Sequence, residues 1–360
     1  MGSAAEQRRV LVTGGAGFVG ANLAIALARR YPDWELVAFD NLRRRGSELN
    51  LPRLRDSGVH FVHGDVREPA DLFALDPVDA VVECSAEPSA LAGLDGDARY
   101  IVGSNLIGAH NCLELARRDA AQLVFISTSR VYPFATLDRA AYREEPTRFE
   151  IEPDQDIPGL SAEGVSELFP LAGPRTLYGA TKLAAELLVA EYASNFGIGT
   201  VIDRCGVIAG PWQMGKVDQG VFSYWVLGHY FRRELRYIGY GGLGKQVRDL
   251  LHVEDLADLI EDQLLRPEHW HGRTVNVGGG RDFSLSLQET TELCAEITGN
   301  RIAVARSRES RPGDVRIYLS DCERLQGLTD WKPRREPHRV LEDIFSWVTE
   351  NERSVKAALA

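Results

Sequence analysis

The chain has 360 residues, 44% of them apolar and 26% charged, enough to bury most of its apolar surface in about two domains or one large α/β unit. Forty-one Lys and Arg stand against 52 Asp and Glu, for a net charge of −11, which argues against nucleic acid as a partner. The composition also excludes disorder and fibrous states.

In chain order, Val10–Thr13 reads as a first strand and Asn22–Arg30 as a helix. Glu35–Asp40, Val59–His63 and Ala80–Cys84 follow as buried strands. Asn105–Arg117 reads as a helix, Leu123–Ser127 as a fifth strand, Thr181–Phe196 as a long helix and Thr200–Arg204 as a sixth strand. Alternating strands and helices with short links, and strands without polar alternation, predict a doubly wound parallel sheet covered on both faces. The pattern breaks at Pro133–Pro174, too long for an ordinary link and rich in proline, glycine and carboxylates; it is expected to be a lid or a disordered insertion. Beyond Gly206 the chain turns loop-rich and aromatic, with helices over Leu256–Leu265 and Leu287–Ile297. Ser286 and Glu289 have capping-box spacing for the second, and Thr274–Val277 reads as another strand. The expected organisation is a Rossmann-type domain over 8–205 and a smaller, mixed substrate domain over 206–350, with 250–278 returning to the first.

Glycines at 14, 15, 17 and 20 interrupt the apolar run after Arg8-Arg9, so it makes a poor signal peptide. No 18-residue apolar stretch suggests a membrane span. Cys84, Cys112, Cys205, Cys294 and Cys322 are odd in number and lack metal-ligand spacing. They read as reduced thiols of a cytoplasmic protein, and with no HExxH among eight histidines no metal is expected.

Thr13-Gly14-Gly15-Ala16-Gly17-Phe18-Val19-Gly20 follows the first strand and opens the first helix. Such glycines let a pyrophosphate approach backbone, and the helix N-terminus supplies N–H groups and a positive dipole end. Asp40, twenty residues after Gly20 and at the end of the second strand, is placed to accept both ribose hydroxyls of an adenosine. Arg43, Arg44 and Arg45 are the kind of residues that bind the 2′-phosphate of NADP, but a carboxylate repels that phosphate, so the expected cofactor is NAD. Asp65, in Gly64-Asp65-Val66, is placed to meet the adenine.

Tyr178 and Lys182 lie four apart on one helical face. An ammonium near a phenol lowers the phenol pKa, and the tyrosinate can then take a hydroxyl proton as hydride leaves the carbon. A hydroxyl from Ser127-Thr128-Ser129 is expected to share a hydrogen bond with the substrate oxygen.

With these motifs the chain resembles the extended short-chain dehydrogenase/reductases, the family of nucleotide-sugar epimerases and dehydratases. The resemblance runs from about Arg9 to Trp347, through TGGAGFVG, FDN, GDV, SNLIGAHN, STSRVY, YGATK, RDLLHVEDLA, VNVGGG and RPGD. It implies Thr128, Tyr178 and Lys182 as the catalytic set. It implies cofactor contacts from Gly14, Gly17, Phe18, Val19, Gly20, Asp40, Asn41, Arg44, Asp65, Val66, Ser85, Ala86 and Asn105, together with Tyr178 and Lys182. Substrate contacts are implied for Thr128, Asp218, Gln219, Arg248 and Arg311, the two arginines on a diphosphate. Trp212, Phe222, Tyr224 and Trp225 are candidates to stack on a base, although for any one of them core packing is the simpler explanation. Dehydratases of the family carry Asp-Glu after the threonine; this chain has Ser129-Arg130, which looks like the 2-epimerases of CDP-linked hexoses. The basic loop Asn41–Gly46, the insertion and Gly244–Asp249 point the same way. Glu83-Cys84-Ser85-Ala86 departs from the usual His-Leu-Ala-Ala at the fourth strand. The resemblance thus implies an NAD-dependent epimerase of a CDP-hexose. A 4-epimerase, a dehydrogenase releasing a keto sugar and a catalytically silent NAD-binding sensor remain open beside it. It further implies a homodimer paired through Asn105–Arg117 and Thr181–Phe196, with Leu183, Leu187 and Tyr192 as the apolar stripe.

Overall fold

A computed structural model describes residues 7–94, 96–216, 219–309 and 311–359. Seven strands form one parallel sheet: β1 (Arg9–Thr13), β2 (Glu35–Asp40), β3 (His60–His63), β4 (Ala80–Glu83), β5 (Gln122–Thr128), β6 (Thr200–Cys205) and β7 (Arg273–Val277). Their order is β7-β6-β5-β4-β1-β2-β3. The order reverses between β1 and β4, and a crevice opens at such a switch point beyond the carboxyl ends of the strands. Register places Thr13 beside Glu83 and Thr128 beside Cys205 at that end.

Period-two alternation divides β1 between two cores. Val10 and Val12 face helices α1 (Phe18–Arg30) and α4 (Val253–Leu265), and Leu11 faces α2 (Gly108–Asp119) and α3 (Leu177–Phe196). Each buried Leu or Val contributes roughly 1.5–3 kcal/mol. The central strands are buried throughout. The third differs from expectation: β3 is an edge strand with both its histidines exposed, because nothing pairs with its far side among the described residues.

Helices begin earlier than the apolar periodicity alone indicates. Thr176 caps α3 by accepting the Gly179 N–H, which puts Leu177–Ala180 in the first turn; such a cap contributes about 1 kcal/mol. Chain N-terminal to α2 is also helical from Arg99, through a π turn over Gly103–Ile107.

After β6 the chain builds a smaller mixed sheet from Val207–Ala209, Val247–His252, Ser284–Ser286 and Ile317–Tyr318. Helices Val221–Tyr230, Leu287–Thr298 and Pro337–Glu350 pack a separate core beside it. The expected capping box of Ser286 and Glu289 is present in both directions. Helix α4 and β7 lie with the large sheet.

Residues 133–174 are ordered, which removes the disordered alternative. Two short hairpins, Tyr142–Glu144 with Phe149–Ile151 and Leu160–Ser161 with Gly164–Val165, bury Phe149, Ile151 and Phe169 against Val247, Ile317 and Tyr318. Arg148 donates to Ser284 Oγ at 2.6 Å, and Lys245 pairs with Glu144 at 2.7 Å.

Asp203 of β6 is fully buried. Its Oδ1 accepts from Gln263 at 2.8 Å, while Oδ2 has no partner. Burial pushes this carboxyl up to about 7, against the smaller pull of the Gln263 bond. A carboxyl raised in the folded state contributes stability that is complete below its unfolded pKa near 4 and is lost as pH rises through about 7. Asp203→Asn should therefore gain stability over the parent between pH 5 and pH 8, by on the order of a few kcal/mol. Paired thermal melts measure this, and an unchanged difference across that range would contradict it.

Candidate active site

The cleft at the switch point is lined by Gly14, Gly17, Phe18, Val19 and Gly20 from the turn between β1 and α1, and by Asp40, Asn41 and Arg44 after β2. Val66, Ser85 and Ala86 line it as well, whereas Tyr178 and Lys182, also expected against the cofactor, do not. A Cβ on Gly20 would lie 2.3 Å from the Gly14 carbonyl oxygen, so only glycine lets the helix start this close to the turn. The α1 N-terminus and bare backbone thus present donors to an anion. The residues fit a dinucleotide.

Asp40 Oδ2 accepts from Ala16 N at 3.2 Å and Oδ1 from Leu42 N at 2.7 Å. Burial raises its carboxyl, and these amide bonds oppose the rise. The acid therefore braces the glycine turn and faces the cleft at once. Arg43, Arg44 and Arg45 also line the cleft. Arg43 lies 4.0 Å above the Tyr100 ring, and Arg67 stacks on the same ring at 4.8 Å. Tyr100 lines the cleft and carries no sequence signal; the fold alone brings it there. Asp65 accepts from Asn41 at 2.9 Å and from Arg67 at 2.6 Å. Burial raises the Asp65 carboxyl, but the bonds from Arg67 and Asn41 outweigh it and bring it down to about 2. Its carboxylate is committed to these partners rather than lining the cleft beside Gly64 and Val66.

Asn105 lies in the π turn, a feature common at functional sites. It is 1% exposed and does not line the cleft. Its Oδ1 accepts from Glu87 N at 2.8 Å, and its Nδ2 donates to Glu87 O at 3.2 Å and Thr181 Oγ1 at 3.1 Å. It clamps the loop after β4 to α3, next to Lys182.

Thr128 ends β5, Tyr178 lies in the first turn of α3 and Lys182 one turn on, so two elements bring the three residues together. The Thr128 and Tyr178 hydroxyls share a hydrogen bond. A Cβ on Gly179 would lie 2.0 Å from the Arg130 carbonyl oxygen; glycine is what lets α3 approach the turn after β5. Behind the site, Arg204 of β6 pairs with Glu186 of α3 at 2.7 Å, Ser127 donates to the same carboxylate, and Tyr132 donates to Asn276 at 2.7 Å. Lys182 is 1% exposed, with Nζ 3.3 Å from Glu83 Oε2 and 3.8 Å from the Phe125 ring centre.

The Tyr178 phenol runs against expectation. Burial raises its pKa, and the pull of the Lys182 ammonium and the Thr128 hydroxyl does not overcome that. The YxxxK spacing reveals the lysine but not the carboxylate beside it.

A second cleft adjoins the first at Gln219, which lines both. Four arginines converge on it: Arg130, Arg236, Arg248 and Arg311. Arg248 is held by Asp314 Oδ1 at 2.7 Å and by the Val315 carbonyl at 2.7 Å. Arg130 donates to the Gly313 carbonyl at 2.8 Å. Arg130 and Arg236 add to the two arginines expected there. Asp218 lies outside the described residues. Of the aromatic candidates, Trp212 packs on Trp347 and under Arg53, away from this cleft. Phe222, Tyr224 and Trp225 line the cleft, Trp225 with its Nε1 spent on Thr291.

The sequence profile of the NAD dependent epimerase/dehydratase family matches residues 10–278. The chain is 30% identical over 361 residues to a CDP-paratose 2-epimerase of Salmonella typhi, covering 95% of this chain and 99% of that one. It is 31% identical over 348 residues to a dTDP-glucose 4,6-dehydratase of Mycobacterium tuberculosis, covering 96% and 94%. Among solved structures it is similar to a double mutant of a dTDP-glucose 4,6-dehydratase from Streptomyces venezuelae with NAD bound. That similarity has a TM-score of 0.78 at 25% identity, over 97% and 99% of the two chains.

Proposed function

The chain belongs to the NAD dependent epimerase/dehydratase family, and from that premise we propose that it is a nucleotide-sugar 2-epimerase acting on a CDP-linked hexose. It is an enzyme whose cofactor is NAD. When bound, NAD supplies a reversible acceptor for the hydrogen on a sugar carbinol carbon.

The chain's own residues do the rest. Gly14, Gly17 and Gly20 let the pyrophosphate approach the backbone of the turn and the α1 N-terminus, and Asp40 takes the adenosine ribose hydroxyls. Asn41, Arg44 and Val66 line the adenosine end, and Ser85 and Ala86 the end towards the sugar. Tyr178 removes the proton from a ring hydroxyl and returns it, with Thr128 sharing the same oxygen. Lys182 holds the phenol's charge. Arg248 and Arg311 meet the diphosphate, where a guanidinium binds phosphate through two parallel bonds. Asp218 and Gln219 meet the sugar or the base.

One observation supports epimerase over dehydratase, a choice that identities of 30% and 31% leave open. The turn after Thr128 carries Ser129 and Arg130, and no carboxylate lines the small cavity beside them among the described residues. Loss of water from a sugar needs a positioned acid–base group there, and a guanidinium does not serve.

The reading extends to assembly. Ile107, at the end of the π turn, and Leu187 and Phe196 on α3 are 47%, 63% and 51% exposed. They form the apolar face of a homodimer. The expected stripe splits: Leu187 faces out, whereas Leu183 and Tyr192 pack inward. Light scattering at micromolar concentration should give twice 39.8 kDa; the single-chain mass would contradict the dimer.

The activity is tested by incubating the protein with CDP-, UDP-, dTDP- and GDP-hexoses and following the products by NMR. The expected product is the C2 epimer of a CDP-hexose, and Tyr178→Phe should lower its rate roughly 10²–10⁴-fold. A C4 epimer or a released keto sugar would replace the proposed reaction with its relative, and no turnover would leave an NAD-binding sensor.

A further inference from the structure

Burying an ammonium costs several kcal/mol unless a partner neutralises it. Lys182 meets that partner in Glu83, the last residue of β4, at 3.3 Å. Both side chains are 1% exposed, and Glu83 Oε1 has no hydrogen-bond partner. Glu83 answers chiefly to the lysine, with a lesser pull from the Ser85 amide. Phe125 closes the other side of the ammonium at 3.8 Å. The lysine, one helical turn from Tyr178, is thus shared between a phenol that it should acidify and a carboxylate that offsets its charge.

We infer that Glu83 is a positioning residue: its carboxylate holds the Lys182 ammonium in place and offsets its charge, and so sets how strongly that ammonium stabilises the Tyr178 phenolate. The inference rests on the reading of Tyr178 as the acid–base group.

Other titratable and charged groups face the same space: Cys84 just after β4, Cys112 on α2, Cys205 on β6 with Asp203 behind it, and Arg130 in the turn after β5. Burial raises all three thiols, so they stay neutral over the range in which the site works. Asp203 titrates alike whatever stands at position 83 and cancels in a comparison. Burial lowers the Arg130 guanidinium, which is the same group in each protein compared. Glu83 is the group that changes the balance. Burial raises its carboxyl, and the Lys182 ammonium draws it back.

The test is an ultraviolet titration of tyrosinate on the NAD-loaded protein, with the curve of the matching Tyr178→Phe protein subtracted. Glu83→Gln removes the charge and keeps the shape. Its Tyr178 midpoint should fall by about one pH unit, a tenfold change in ionisation constant. Glu83→Asp keeps the charge and should stay within a few tenths of a unit of the parent. An unmoved midpoint in Glu83→Gln, or an equal shift in both variants, would overturn the inference. If Glu83→Gln fails to fold, the double variant Lys182→Met/Glu83→Gln removes both charges. Its midpoint should lie within about half a unit of the parent, and a rise of a full unit or more would show the lysine acting without offset. No sugar enters the titration. A shifted midpoint in a protein that turns over no sugar nucleotide overturns the reaction and keeps the role of Glu83. A fixed midpoint in an active epimerase does the reverse.

Discussion

A single ammonium taken out of water dictates the layout of this site. Lys182 cannot be buried beside the sheet without neutralisation, and the structure surrounds it with Glu83, the Phe125 face and the Tyr178 phenol. To deliver the lysine there, α3 must press against the turn after β5, which glycine at 179 permits. The helix is then fixed at two more points, by Asn105 on Thr181 and by Arg204 on Glu186. Breaking a buried pair of that second kind costs about 3–5 kcal/mol, so α3 is anchored one turn beyond Lys182.

An acidic chain that handles anionic ligands must concentrate its cations. The net charge is −11, yet four arginines line the second cleft and three follow β2 at the first. Three are held by neighbours before any ligand arrives: Arg248 by Asp314, Arg130 by the Gly313 carbonyl and Arg43 by the face of Tyr100. Such preorganisation lowers the entropy lost when an anion binds. Docking of residues 133–174 on the smaller sheet belongs to the same design, since Phe134 and Leu137 wall the cavity that Arg130 and Arg248 share.

Most of the fold was legible because parallel strands buried on both faces leave unbroken apolar runs, and β1, β2, β4 and β5 carry them, whereas β6 has only Val201-Ile202 before the buried Asp203 and Arg204. His60 and His63 flank only two apolar residues in β3, and an edge strand cannot be distinguished from a central one by such a run. Helix starts were harder: Leu177 and Arg99 precede the periodic stretch, and caps and a π turn decide them. Spacing brought Tyr178 and Lys182 together because they share a helix. It could not connect Lys182 with Glu83, ninety-nine residues away, nor Tyr100 with Arg43 and Arg67, since the strand order creates those contacts. Glu83 stood out only as a departure from the family pattern, without a reason until its partner was seen.

In the proposed reaction one sugar carbon is oxidised reversibly, and the hydrogen that leaves C2 is the hydrogen that returns. Running the reaction in D₂O and examining C2 of the epimer by NMR tests this most directly. Protium retained at C2 is the predicted result, because Thr128, Tyr178 and Lys182 handle only the hydroxyl proton. Stoichiometric deuterium at C2 would contradict it, because the hydrogen would then have come from solvent by way of a carbon acid.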